Sequence, residues 1–208
     1  AGAITSNPST GIDIDRAITA DASGIYVAGY DQVTGNSQWR IEKRDLTTGA
    51  LVAAFGTGGV VTNNPNAGWD VIYAITDDAN GIYAAGYDFS PGSNSQWRIE
   101  KRDLTTGALL CTQTGNPSTS SDDAYAITAD ASGIYVAGYD NSLGALNAQW
   151  RIEKYDLCGG ASPVELLSFS GSCHTDPEYL GQVSIHWETA TEINNDYFTI
   201  ERSTDGNL

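Results

Sequence analysis

The chain has no methionine, only two histidines and only three cysteines. Nowhere does an apolar run approach the roughly 20 residues that a membrane-spanning helix needs, so membrane insertion is not expected. Basic residues are scarce. Ten Lys and Arg stand against 26 Asp and Glu, for a formal net charge of −16. That balance argues against nucleic acid or an anionic membrane surface as partner, because phosphate binding depends on positive charge. Walker loops, zinc helices, Cys-x-x-Cys pairs and a Ser-His-Asp order are all missing. The odd number of cysteines leaves at least one unpaired within a single chain. Cys158 and Cys173 form the simplest bridge to expect, although spacing alone does not decide the pairing. No leader-like stretch is visible, and a chain opening on Ala1 rather than Met is expected of a processed or cut product.

What is present is repetition, which governs every other reading. Ser37-Gln38-Trp39-Arg40-Ile41-Glu42-Lys43-Arg44-Asp45-Leu46-Thr47-Thr48-Gly49-Ala50-Leu51 returns unchanged at Ser95 to Leu109. It returns again, shortened, as Gln149-Trp150-Arg151-Ile152-Glu153-Lys154-Tyr155-Asp156-Leu157. A second block, Ala17 to Asp31, reappears at Ala126 to Asp140, with a near copy at Ala74 to Asp88. Ala17, Ala74 and Ala126 are 57 and 52 residues apart. Asn7-Pro8-Ser9-Thr10 is echoed by Asn116-Pro117-Ser118-Thr119, so the first residues are the lead-in of a repeat. With 208 residues, 40% of them apolar, the chain is long enough to bury a core.

Each unit is predicted to hold about four short strands. In the first unit these are Ala17–Ala20, Ile25–Tyr30, a long Trp39–Leu46, and a strand beginning at Ala50–Phe55. Asp21-Ala22-Ser23-Gly24 and Thr47-Thr48-Gly49 supply the turns, since Asx and Gly favour turn geometry. Alternation places Trp39, Ile41 and Lys43 on one strand face and Arg40, Glu42 and Arg44 on the other. Eight of the ten basic residues lie in these copies. The expected boundaries are 1–50, 51–108 and 109–162 for the repeats, with a distinct segment at 163–208.

Several side chains are candidates for chemistry, each with a plainer reading beside it. Arg40, Arg98 and Arg151 suit an anionic glycan or a carboxylate. They also suit a structural charge ladder paired with the neighbouring copy, which is the favoured reading. Trp39, Trp97 and Trp150, with Tyr26, Tyr30, Tyr83, Tyr87, Tyr135 and Tyr139, could stack sugars, but their strict recurrence better suits packing. The turns at Asp21, Asp77-Asp78 and Asp130 could hold Ca²⁺, but calcium takes about six to eight oxygens and each turn supplies too few, so no cofactor is expected and a turn role is favoured. Asp122-Asp123 reads as an exposed acidic loop pair, yet a glycosidase needs two carboxylates across a cleft. His186 and Glu188 share a strand face, and His174 is the only other histidine, which is thin for zinc and its usual three or four ligands.

Phe55-Gly56-Thr57-Gly58-Gly59-Val60-Val61-Thr62 leads a second pattern. It continues through Ala74-Ile75-Thr76, an Asp-x-x-Gly turn, Ile82-Tyr83-Ala84-Ala85-Gly86-Tyr87 and an aromatic-led strand ending in Arg102-Asp103. Over residues 1 to about 160 this resembles the delta-60 repeat family of bacterial surface and secreted proteins, whose units look like β-propeller blades. The Phe-Gly-Thr-Gly-Gly signature occurs once, and Asp-Ala-Ser-Gly replaces the family's usual Asp-Gly-Lys turn. The resemblance transfers no catalytic residues.

Pro163 to Phe169, Val183-Ser184-Ile185-His186-Trp187-Glu188 and Glu192 to Gly206 resemble the opening of the fibronectin type III-like domain of many Bacteroidetes surface proteins. Three strands stand where a sandwich has about seven. That segment is expected to be a fragment or to be completed by partner strands.

The expected fold is therefore all-β: three propeller-blade-like antiparallel repeats followed by a partial immunoglobulin or fibronectin III-like segment. Propellers usually close with about four to eight blades. Three blades leave two open faces, to be covered by a longer parent chain, a dimer or an open polymer. The resemblances imply a secreted or cell-surface protein. The leading expectation is a non-enzymatic structural or adhesive module that self-associates. The alternative is a module binding an extracellular glycan through Trp39, Arg40, Trp97, Arg98, Trp150 and Arg151. A glycoside hydrolase is the disfavoured third.

Overall fold

The computed structural model describes residues 2–90, 92, 94–130, 133–144, 147–156, 166–173 and 183–189. Among them there is no helix, and the fold is all-β. The chain divides into two compact units, Ala1–Cys158 and Gly159–Leu208.

The first unit is three antiparallel meanders. The first sheet pairs β1 (Ile14–Asp21), β2 (Gly24–Asp31), β3 (Gln38–Arg44) and β4 (Val60–Asn63) in chain order. The second pairs β5 (Val71–Asp78), β6 (Gly81–Asp88), β7 (Gln96–Arg102) and β8 (Leu109–Gly115). The third pairs β9 (Asp123–Asp130), β10 (Gly133–Asp140) and β11 (Gln149–Tyr155), with no fourth strand among the described residues. In the second unit, β12 (Leu166–Cys173) and β13 (Val183–Thr189) form an antiparallel pair. The expected strand segment at Glu192–Gly206 lies outside the described residues.

Short-range chemistry sets the turns. The Asp21 carboxylate accepts from the N–H groups of Ser23 (2.7 Å) and Gly24 (3.0 Å), closing the β1–β2 hairpin. Asp45 accepts from the N–H groups of Thr47 and Thr48, and Asp103 repeats this with Thr105 and Thr106. Such Asx turns compete well with continued strand. Each meander also carries a bulge. Gly29, Gly86 and Gly138 lie where a Cβ would stand 2.0, 2.0 and 2.1 Å from the carbonyl oxygens of Ile14, Val71 and Asp123. The Ala-Gly-Tyr string is thus the mark of a strand pressed against a bulged neighbour.

The structure corrects two strand expectations. Strand β3 is no longer than its neighbours, with 7 residues against 8 in β1 and β2. Nor is Ala50–Phe55 a strand. The chain leaves the β3 edge at Val52, whose N–H bonds to Lys43 O at 2.9 Å. It returns at Gly59, whose carbonyl accepts from Lys43 N–H at 3.0 Å. Both ends of the excursion therefore bond to one residue. Its apex buries Phe55 against Tyr26, ring centroids 6.0 Å apart. The driving force is removal of an aromatic ring from water, which an edge strand would not achieve. The second sheet has no such excursion, so β8 begins directly at Leu109.

Strands β4 and β8 lie beyond the positions 50 and 108 that divide the sequence repeats. The first and second sheets therefore take their fourth strands from the start of the following sequence unit.

The sheets pack face to face, with β1 against β5 and β5 against β9. One core joins Tyr26, Ala28, Trp39 and Ile41 of the first sheet to Ile72, Ile75, Ile82 and Ala84 of the second. The next joins Tyr83, Ala85, Trp97 and Ile99 to Ala124, Ile134 and Val136 of the third. In both joints the tryptophan face of one sheet meets the arginine face of the next.

Candidate functional site

The arginine faces are internally neutralised ladders. In the second sheet, Arg98 pairs with Asp88 (3.1 Å) and Glu100 (2.8 Å), and Arg102 pairs with Glu100 (2.6 Å). The first sheet repeats this with Arg40 on Asp31 (3.1 Å) and Glu42 (2.7 Å), and Arg44 on Glu42. The third keeps Arg151 on Asp140 (3.4 Å) and on Glu153. The expected partner was the neighbouring copy. Instead each ladder pairs within its own sheet, because residues two apart on a strand share a face and Asp31, Asp88 and Asp140 end the adjacent strand. Burial works against the Glu42 carboxylate, yet Arg40 and Arg44 together hold its pKa below the ordinary value.

Four contacts cross both internal joints. Trp39 Nε1 donates to Tyr87 O (3.1 Å), and Trp97 Nε1 to Tyr139 O (3.0 Å). The Arg98 and Arg151 guanidinium carbons each stand 5.8 Å over the Trp39 and Trp97 rings. Asn36 Nδ2 donates to Gly68 O (2.5 Å), and Asn94 Nδ2 to Ser120 O (2.8 Å). Asp70 N–H donates to Ser37 O (2.9 Å), and Asp122 N–H to Ser95 O (3.0 Å).

The tryptophans and arginines singled out as ligand candidates therefore fall into two groups. Trp39 and Trp97 are 1% and 0% exposed, with no ring face open to a sugar, and Arg98 is buried over Trp39. Trp150 is 93% exposed and Ile152 is 71% exposed, on the outer face of the third sheet. Arg151 faces inward, toward Trp97. Arg40 lines a cleft of about 440 Å³ on the outer face of the first sheet, with Ile4, Ile18, Ile25, Val27 and Glu42. Ile18 is 67% exposed there, whereas its counterpart Ile75 is 8% exposed inside a joint. The sheet stack thus ends in two unlike open faces.

The acidic candidates are absorbed by structure. Asp122 and Asp123, expected as an exposed pair, are both buried. Asp122 accepts from Ser118 and from Asn141 N–H, while Asp123 accepts from Ser95 and Tyr139. Burial raises the Asp123 pKa, and it pushes Asp70 up to about 6. Asp77 accepts from Thr19 Oγ1 (2.5 Å), and Asp78 from Asn80 N–H (2.7 Å) and Tyr83 OH (3.0 Å). Among the described residues no group of three or more His, Cys, Asp or Glu side chains is placed to hold a metal ion. His186 and Glu188 are exposed on β13, and His174 lies outside the described residues. Cys111 is disulfide-bonded, which is incompatible with a Cys158–Cys173 bridge in a chain of three cysteines.

One aromatic cluster was not anticipated. Arg16, Tyr73 and Tyr125 occupy equivalent positions on β1, β5 and β9. Tyr73 packs edge-on against Tyr125 with centroids 4.8 Å apart, and Arg16 stands 5.6 Å over the Tyr73 ring. Burial raises the pKa of both tyrosines. Their shared position, one residue before Ala17, Ala74 and Ala126, was the available signal. Comparison with protein-family models, with curated proteins and with solved structures finds no match for this chain.

Proposed function

We propose that this chain is a non-enzymatic structural or adhesive module of a secreted or cell-surface protein, built from propeller-like blades and acting by self-association. The observation that carries this reading is the pair of open end faces. An apolar face bearing Trp150 and Ile152 and an apolar cleft over Arg40 are costly to leave in water. The same kinds of face are fully covered at the two internal joints. The saturated ladders and turn carboxylates support a structural role for the recurring charges. The test is the native mass by light scattering, with electron micrographs of the same sample. Particles larger than one 22.0 kDa chain are expected, and a strict monomer at all concentrations would refute self-association.

A second reading, an extracellular glycan-binding module, is favoured by the open indole of Trp150. It is tested by quenching of tryptophan fluorescence with soluble glycans, compared between the wild type and Trp150→Phe.

A further inference from the structure

We propose that copies of this chain join head to tail by strand donation. Residues Ala3–Ser6 of one copy become the fourth strand of the third sheet of a second copy, beside β11. The Trp150 face of that second copy fills the cleft over the first sheet. This rests on the self-association reading and specifies its joint.

The phase of the repeat identifies the donor. Pro8, Pro65 and Pro117 each lie five residues before a corresponding aspartate, Asp13, Asp70 or Asp122. Two residues before each proline stand Ser6, Asn63 and Gly115. Asn63 and Gly115 end β4 and β8, opposite Trp39 and Trp97. Ala3–Ser6 thus corresponds to β4, Val60–Asn63, yet it is in no strand and is exposed. Among the described residues the third sheet ends at β11. A fourth strand there would place Ser6 opposite Trp150 and Ile4 opposite Ile152. The β11 edge, which bonds to no further strand among the described residues, supplies backbone partners, and the donor strand supplies a matching length.

The donor segment already holds the required position. Ser6 Oγ donates to Glu42 Oε1 at 3.1 Å over the first ladder. Asn63 Nδ2 donates to Glu100 Oε1 over the second ladder in the same way. Ser6 therefore sits over the first sheet as the end of β4 sits over the second.

Both halves of the four joint contacts are also present at the open ends. The third sheet exposes Asn147, Ala148 and Trp150, in the places of Asn36, Ser37 and Trp39. The first sheet offers Gly11, Asp13, Tyr30 and Arg40, in the places of Gly68, Asp70, Tyr87 and Arg98. In the assembly, Asn147 reaches Gly11 O, Asp13 N–H reaches Ala148 O, and Trp150 Nε1 reaches Tyr30 O. Arg40 then covers the Trp150 indole. Two unlike faces that match each other make a heterologous contact, which extends as a filament or closes as a ring. The net charge of −16 opposes association, so it is strongest at or above physiological salt.

The test compares sedimentation of the intact wild-type chain with Trp150→Asp and Ile4→Pro. Ile4 corresponds to Val61, which stands at a hydrogen-bonded position opposite Ile41, so proline at 4 removes a ladder N–H and blocks strand addition. Both sites are exposed, so each variant keeps the wild-type circular dichroism spectrum and thermal transition. The wild type is expected to form species larger than 22.0 kDa. Each variant is expected to weaken association by about 30-fold or more, as loss of a central interface anchor does. An equimolar mixture of the two variants is expected to restore a two-chain particle. Trp150→Asp keeps an intact donor and cleft, and Ile4→Pro keeps an intact third sheet. Larger species that persist unchanged in both variants overturn this joint and leave self-association standing. A variant that alone associates normally overturns the half of the joint it tests. Wild-type chains that remain single overturn both readings.

Discussion

The indole of Trp97 donates to the backbone oxygen of Tyr139 at 3.0 Å, across the boundary between the second and third sheets. The ring is fully buried, so it supplies both apolar area and a directional bond. Trp97→Ala is expected to destabilise the chain by about 3–5 kcal/mol in urea unfolding. Trp150→Ala, at the equivalent but exposed position, should stay within about 0.5 kcal/mol in the dissociated chain. Equal losses at the two sites would show that the third sheet's outer face is covered within one chain.

Glu100 is fully buried between Arg98 and Arg102. Removing it strands two cations in the first joint, where water cannot compensate. Glu100→Ala is expected to cost about 3–5 kcal/mol. Glu153→Ala, in the more exposed third ladder, should cost at most about 1 kcal/mol. Denaturant midpoints of the two variants check the contrast, which fails if they coincide.

Gly86 leaves no space for a side chain, because a Cβ would lie 2.0 Å from Val71 O across the bulge. Gly86→Ala must widen the β5–β6 pairing. A loss of about 2 kcal/mol or more is expected from such overpacking. A thermal transition unchanged from the wild type would show that the bulge relaxes freely.

The buried Asp70 carboxyl introduces a pH dependence of definite sign. Burial raises its pKa from 3.8 to about 6, so the native chain binds this proton more tightly than the unfolded chain. Its stability contribution is present below about pH 4 and is lost as pH rises through about 6. Asp70→Asn is expected to gain on the wild type across that window, by about 1–2 kcal/mol. Asp140 runs the other way. Ser142 is the leading cause holding its pKa at about 2, so its contribution is lost as pH falls from 3.8 toward 2. Urea midpoints for wild type and Asp70→Asn at pH 4 and pH 7 decide the matter: a gap that does not widen with pH contradicts the assignment.

Much of the architecture was legible in the residues. The hairpins at Asp21 and Asp78 follow from a carboxylate capping the N–H groups just after it. The split between Trp39, Ile41 and Lys43 on one face and Arg40, Glu42 and Arg44 on the other follows from two-residue alternation. The ladder residues could be named because they recur, although their partners lay in the same sheet. The Val52–Gly59 excursion was not legible, since an apolar run such as Leu51-Val52-Ala53-Ala54-Phe55 suits a strand equally well until Tyr26 offers Phe55 a place to bury. Nor was the Cys111 disulfide legible, because bridging depends on distances that spacing does not encode.

The sequence by itself determined the repeat, its strands and turns, and the two chemically distinct faces of each sheet, because these depend on residues adjacent in the chain. Only the tertiary structure decided what each face does. Trp97 and Trp150 stand in the same Gln-Trp-Arg-Ile-Glu-Lys string, yet one is 0% exposed and the other 93%. Burial belongs to the neighbouring sheet and not to the residue: Trp97 has a sheet stacked on its face, whereas Trp150 ends the stack.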